Sequence, residues 1–346
     1  MNFTVEELIV PAEITPDWVA QVDLRNDVIA EFVGNRDLSR EPEELLPRWQ
    51  NPLEVKHGVL ARVDGEIVGR GVYETESDAS AAWVSVEVLP EFRGHGIGSA
   101  LHEQLVAWAR EEGKTSIQKY ATEAFSDTTD VIPSPTGFGA VPRDTASSAF
   151  LLKHGYVLEQ VGRMSRLDLP VDVTAQLQQA RDAAGPDFTV LTYTGRTPEH
   201  LLEDMAQLRQ SMGTDAPSAG MDTASIWTAE RVRADDDAYE LSPSTMVVAM
   251  VHHAPSGEVA GYTELDVPPE TERAVAQGNT IVMKAHRGHR LGMLLKVANI
   301  AALDEFAPGH PAITTSNAVD NVHMLAVNEA VGFTPWATMG AWKTEL

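Results

Sequence analysis

The chain has 346 residues, 43% hydrophobic and 22% charged, a composition that builds packed cores and argues against disorder. Its 26 basic and 51 acidic residues leave a formal net charge of −25, a field that repels nucleic acid and suits a cationic partner such as an amine. Cysteine is absent, which excludes disulfides, thiolate metal sites and a cysteinyl intermediate, so any acyl chemistry is direct or uses another nucleophile.

At roughly 150 residues per domain, this length predicts two domains. The opening MNFTVEELIVPAEITPDW carries acids where a leader peptide carries bases, and no apolar run approaches the ~18 residues of a membrane span. A cytoplasmic protein is expected. Along the chain, Gly58 to Glu74 alternates apolar and polar residues around Asp64-Gly65 and predicts a hairpin. A strand-like run, Ala82 to Val88, then leads into PEFRGHGIGSALHEQL, where Ile97, Leu101, Leu105 and Trp108 recur at helical spacing. Ala124 to Asp144, rich in Pro, Gly and Ser, reads as a long loop, functional or disordered, which would set acceptor specificity if it covers the acceptor pocket. SSAFLLKHGY closes the half as a helix whose Gly155 suits a left-handed cap.

Beyond a boundary near Pro170, Val171 to Ala184 reads as a helical connector and Gly185-Pro186 as a break. Asp235-Asp236-Asp237 reads as a solvated loop. The three anchors then return in the same order: a hairpin from Thr245 to Leu265 around Ser256-Gly257, a strand at Thr280 to Met283 running into KAHRGHRLGMLLKVAN, and a helix ending at Gly332. Two copies of similar size imply a tandem duplication, since a solenoid needs at least about three short repeats.

The turn carries the chemistry. A strand feeding a glycine-bearing turn into a helix N-terminus aims backbone N–H groups and the positive end of the helix dipole at one spot, which suits an anion. Gly94, Gly96 and Gly98 permit positive φ and close approach of a diphosphate, and Arg93 adds a charged donor. A plain strand-to-helix turn is the other reading. No Gly-Lys-Ser/Thr is present, so this is not a P-loop, and Gly94-x-Gly96-x-Gly98 does not fit the dinucleotide spacing G-x-G-x-x-G.

Val86 through Gly98, with its Pro90 and its Arg93-Gly94-His95-Gly96-Ile97-Gly98, resembles the acetyl-CoA signature of the GNAT N-acetyltransferase superfamily. The order of hairpin, signature, helix and helix-end Gly-Tyr or Gly-Phe is similar to that family in both halves. The resemblance implies an α+β fold, an α/β sandwich of two tandem GNAT-type domains at 1–170 and 187–346 joined by a connector at 171–186. Each domain would be a mixed, mostly antiparallel sheet flanked by helices and splayed near its middle strands. It implies an acetyl-CoA-dependent N-acetyltransferase acting directly on the amine of a small molecule, with no metal and with neither nucleic acid nor membrane as partner. The implied cofactor residues are Val86, Val88, Arg93, Gly94, His95, Gly96, Ile97, Gly98 and Ser99 in the first domain. In the second they are Val282, Arg287, Gly288, His289, Arg290, Leu291, Gly292 and Asn321. Arg290 stands where the family has glycine; an α-region backbone there keeps its N–H available while the side chain crowds the diphosphate.

Direct transfer needs a base for the amine and an acid for the departing thiolate. Glu87, on the strand beside the expected thioester, is the candidate base, with an exposed strand carboxylate as its structural alternative; its counterpart is Ile281. The family's acid is a tyrosine four residues before the helix-end glycine, and those positions hold Leu151 and Asn328. Either another tyrosine such as Tyr120 serves, the thiolate leaves unassisted, or chemistry has been lost. Asn317 and Asn321 suit the family's pantetheine-contacting asparagine, and Asn321 equally suits a helix cap. His286 and His289 flank Arg287 as phosphate-side or solvent groups, and His252-His253 would face opposite sides of a strand. A non-catalytic acyl-CoA-binding protein, and activity confined to the second domain, are the alternative functions.

Overall fold

The structure is a computed structural model and describes residues 1–346 except 77, 78, 216 and 224. Its contacts divide the chain into two compact units, one of Met1–Gly162, Ser218–Asp222 and Ala337–Leu346, the other of Arg163–Pro217 and Thr223–Trp336. The units therefore do not part at a single cut near Pro170: short segments from the second half belong to the first unit.

The first unit begins with β1 (Thr4–Leu8), α1 (Pro16–Val33) and α2 (Pro42–Trp49). Thr15 caps α1 through its side chain, which accepts from Trp18 N at 3.2 Å, and Gly34 (φ 82) ends the helix. Trp18 is fully buried and its indole N–H donates to Pro42 O at 3.0 Å, tying α1 to α2. Next come β2 (Val55–Val63), β3 (Glu66–Thr75), β4 (Ala81–Val88), α3 (Ile97–Glu111) and β5 (Ser116–Ala124). Asp64 (φ 50) and Gly65 (φ 93) are both left-handed, as a tight hairpin turn requires. The strands lie in the order β1-β2-β3-β4-β5, antiparallel except for β4 beside β5.

Two glycines let α3 settle on this sheet. A Cβ at Gly69 would lie 3.1 Å from Ile97 and from Leu101, and one at Gly71 would lie 2.8 Å from Val59. The expected long loop contains a two-stranded hairpin, β6 (Val131–Pro133) and β7 (Ala140–Pro142), before α4 (Ala146–Lys153) and β8 (Val157–Asp168).

The second unit holds α5 (Thr174–Ala184), β9 (Phe188–Thr194), α6 (Leu202–Asp215), α7 (Ala229–Glu240), β10 (Thr245–His253), β11 (Glu258–Val267), β12 (Val275–Val282), α8 (Leu291–Phe306), β13 (Ala312–Ala318) and α9 (Val322–Val331). Its strands follow the order β9-β10-β11-β12-β13, again antiparallel until β12 meets β13. The segment read as a connector is core: Ala180 and Ala184 of α5 are buried in one cluster with Leu291, Leu294 and Leu295 of α8. Asp235-Asp236-Asp237 lies in α7, not in a solvated loop. Asp235 accepts from Arg209 at 2.6 Å and Asp236 from Thr197 N at 2.9 Å. The last strand, β14 (Thr334–Glu345), contributes Ala337–Leu346 to the first unit, pairing antiparallel with β5 from Ala337↔Ala124 to Glu345↔Ser116.

Candidate active site

In the first unit, β4 and β5 pair in parallel only at Ala81↔Ser116, Ala82↔Ile117 and Trp83↔Gln118. Beyond Trp83 the strands part, so the backbone of Val84–Val88 on that side has no ladder partner and stands open to an extended ligand. Alternation puts Val84, Val86 and Val88 on the α3 face and Ser85 and Glu87 on the α1 face.

At the end of β4 the chain makes a 3-10 turn, Pro90–Phe92, followed by Arg93 (φ −70), Gly94 (φ 76) and Gly96 (φ 89), which opens α3 without a side-chain cap. The first helix N–H with a partner four residues back is Ala100, donating to Gly96 O at 3.0 Å, so the N–H groups of Ile97, Gly98 and Ser99 point into the turn. A Cβ placed on Gly94 or Gly96 meets nothing within 4 Å. That open space is what an anion on this turn requires. Gly98 differs: its Cβ would come 3.2 Å from Phe150.

Arg93 departs from its expected role. Its Nε donates to Val88 O at 2.9 Å and its terminal nitrogens donate to Glu31 at 2.7 and 2.6 Å, so the guanidinium braces the turn against β4 and α1. The positive charge at the helix mouth comes from elsewhere. Lys153, the last residue of α4, donates to Ser99 Oγ at 3.1 Å, and His154 Nε2 lies 3.1 Å from the same oxygen. Neither basic residue was picked out from the sequence, although both stand in the quoted SSAFLLKHGY; only the fold brings them to the start of α3.

Glu87 is buried rather than an exposed strand carboxylate, at 8% exposure. It sits opposite Arg70 in the β3–β4 register, with Arg70 Nε 3.2 Å from its Oε2. Arg70 also donates to Gln21 O at 3.3 Å, which ties the pair to α1. Burial lowers the pKa of Arg70, opposed by the Glu87 charge, and burial also lowers that of Lys119 on β5. A hydrophobic pair would pack here at least as favourably as buried ions.

Leu151, at the position of the family's tyrosine, is buried in α4. Tyr156 is a core residue whose hydroxyl meets His102 Nε2 at 3.0 Å; burial and the neighbouring His154 push His102 down to about 4. Tyr120 is stacked on Trp83 with ring centroids 4.8 Å apart and has its pKa raised by burial.

The second unit repeats the backbone and changes the face. β12 and β13 pair at Val275↔Ile313 and Ala276↔Thr314 before parting. Gly288 (φ 92) follows Arg287 (φ −69), and Arg290 opens α8 at φ 56, in the left-handed region and not the α region expected. A non-glycine residue costs about 1–2 kcal/mol there. Arg287 repeats the brace of Arg93, donating to Val282 O at 3.0 Å and to Asp215 at 2.9 Å. His286 is buried and 3.1 Å from Glu258, away from the solvent position read for it. Asn321 caps α9, accepting from Met324 N at 3.3 Å. Asn328 donates to Asn317 Oδ1 at 2.6 Å, and its own Oδ1 is buried without a hydrogen-bond partner among the described residues. Ile281 is opposite Tyr262, and both lie in one apolar cluster. Two residues along β11, at the register shift, Glu264 accepts from Asn279 N at 3.2 Å and Nδ2 at 2.7 Å, and burial raises its pKa.

Residues 22–128 match the model of the Acetyltransferase (GNAT) family. A tandem GNAT protein from the clavulanic acid biosynthesis pathway, solved without AcCoA, is similar over 99% of this chain and 98% of that one, with a TM-score of 0.74 and 23% identity. The chain has the tandem GNAT fold. A GCN5-related N-acetyltransferase from Sphaerobacter thermophilus is similar over 99% of this chain and 95% of that one, at a TM-score of 0.63 and 16% identity. No curated protein matches the sequence. Each unit has the splay and the turn, while among the described residues a buried acid–cation pair at this register is found in the first unit and not in the second. Among the described residues no three His, Asp or Glu side chains converge as a metal site, and no helix is long and apolar enough to cross a membrane.

Proposed function

We propose that this GNAT protein is an acetyl-CoA-dependent N-acetyltransferase for a small-molecule amine, with acyl transfer in the first domain. The observation that carries the reading is the open turn at Gly94 and Gly96 in line with the splay of β4 and with Glu87 buried beside it. When bound, acetyl-CoA supplies an activated acyl carbon with a thiolate leaving group. The N–H groups from Gly94 to Ser99, with Lys153, hold its diphosphate, and the free edge at Val86 and Val88 takes the pantetheine arm. Glu87 receives the proton of the incoming ammonium and Arg70 fixes its orientation. The net charge of −25 supports a cationic acceptor and argues against nucleic acid, and a cytoplasmic setting belongs to the same reading.

The second domain is proposed as a further coenzyme A site, formed by Val282, Arg287 to Gly292 and Asn321. Gly288 and the buried, unpartnered Asn328 Oδ1 favour it, and Ile281 argues against catalysis there. A non-catalytic acyl-CoA-binding role is favoured by Leu151 and Asn328, which stand at the family's tyrosine positions. Thiol release from acetyl-CoA over an amine panel separates these readings. Amine-dependent turnover that falls about 100-fold in Glu87→Gln is expected; turnover unaffected by that substitution removes Glu87 and the first-domain assignment, and no turnover with any amine favours the binding role.

A further inference from the structure

The described structure leaves one chemical role of this reading without an owner: the proton for the departing thiolate. A narrow crevice lies on β5 beyond its pairing with β4, with apolar walls from Ala121, Val141, Pro142 and Trp342. One charged residue lines it. Glu123 is 7% exposed and points from β5 toward α4. Its Oε1 accepts from Thr145 Oγ1 at 2.6 Å, and its Oε2 is buried with no hydrogen-bond partner among the described residues.

The Thr145 hydroxyl fixes which oxygen carries a proton. That hydroxyl is the cap of α4 and already accepts from Ser148 N at 3.1 Å, so its own hydrogen is directed to Glu123 Oε1. Oε1 is therefore the acceptor, and the proton of a neutral carboxyl sits on Oε2. The nearby Ser148 hydroxyl donates to Pro142 O at 2.6 Å and, among the described residues, makes no hydrogen bond to Oε2. Burial raises the pKa of Glu123, and the charge of Asp144 adds to this against the Thr145 bond. An isolated buried carboxylate is costly, and neutralisation is the usual response.

Position completes the argument. Glu123 lies on the part of β5 beyond the last residue paired with β4, Gln118, and its recess is bounded by Ser148, one helical turn before Leu151. Leu151 is where the family carries its tyrosine. We propose that Glu123 donates the proton to the coenzyme A sulfur in the first domain, replacing that tyrosine from the opposite wall. The inference rests on the acyl-transfer reading above. Once Glu87 has passed the ammonium proton on to water, the neutral amine nitrogen adds to the acyl carbon and gives its surplus proton to the regenerated Glu87 carboxylate. The C–S bond then breaks as sulfur takes the proton from Glu123 Oε2, and the resulting carboxylate regains a proton from water.

The test uses full-length wild type and Glu123→Gln, which keeps the Thr145 bond. Three quantities are measured: the infrared carbonyl band of a protonated carboxyl at neutral pH, acetyl-CoA affinity by calorimetry, and thiol release with an amine panel or with water as acceptor. Expected are a protonated-carboxyl band in the wild type that is lost in the variant, acetyl-CoA affinity within about twofold, and a kcat lowered at least about tenfold with KM unchanged. An unchanged kcat, or a wild type whose Glu123 is ionised at neutral pH, overturns the role of Glu123 and leaves acyl transfer standing. The infrared readout needs no variant to fold. Wild type that binds no acetyl-CoA overturns the acyl-transfer reading itself, and the Glu123 role with it.

Discussion

At matching rungs of the two sheets, Arg70 faces Glu87 in the first domain and Tyr262 faces Ile281 in the second. The turns that follow these strands are nearly superimposable in φ: Arg93 at −70° and Gly94 at 76°, Arg287 at −69° and Gly288 at 92°. Turn and face are thus set separately. The turn depends on backbone conformation and on a bracing arginine, and it survives even with Arg290 in the left-handed position. The face depends on cross-strand partners, and a change of both partners converts a buried ion pair into hydrophobic core.

That contrast can be broken by substitution. Arg70→Met leaves the Glu87 charge buried and unpaired, and a loss of about 3–5 kcal/mol in urea unfolding is expected. Ile281→Ala, at the matching rung, removes only packing and should cost about 2–4 kcal/mol. A negligible loss at Arg70 would mean that the ion pair is not held as described.

Lys296 on α8 sharpens the comparison through pH. It occupies a buried site beside the Phe333 ring, and burial depresses it to about 7 from its ordinary 10.5. Across that interval the unfolded chain binds more protons than the folded one, so stability rises with pH from about 7 upward and is lowest below 7. The slope is up to about 1.4 kcal/mol per pH unit. Lys296→Met should flatten it in denaturation series from pH 7 to 9; an unchanged slope places the titration elsewhere. The smallest effect is at the turn: Arg290→Gly relieves the left-handed strain and should stabilise by about 1 kcal/mol, read as a raised melting temperature.

What the sequence made legible was local. The Asp64-Gly65 hairpin, the strand running into Pro90, the helical spacing of Ile97, Leu101 and Leu105, and the glycines that end α4 and α9 are encoded within a few residues, and each repeats in the second half. The illegible part was distant. The partner of Arg93 is Glu31, and that of Arg287 is Asp215, each on an earlier helix, so a phosphate-binding reading of the side chain had nothing in the motif to contradict it. Asp235-Asp236-Asp237 has poor helical propensity and is held in α7 by its contacts to Arg209 and Thr197. Glu123 and Thr145 are separated by the β6–β7 hairpin, whose residues gave only the pattern of a loop. The membership of Ala337–Leu346 in the first unit has no signal in a sequence read as two successive repeats.

The account's central claim is that the first turn holds the acyl donor. Titration calorimetry with acetyl-CoA on wild type, Gly96→Trp and Gly292→Trp tests it most directly, since a tryptophan at 96 would fill the space open above that turn. The account predicts that Gly96→Trp removes first-domain binding, lowering affinity at that site at least about 100-fold, roughly the 2.7 kcal/mol of its main-chain contacts, while Gly292→Trp leaves that site intact. Undiminished binding by Gly96→Trp would contradict it.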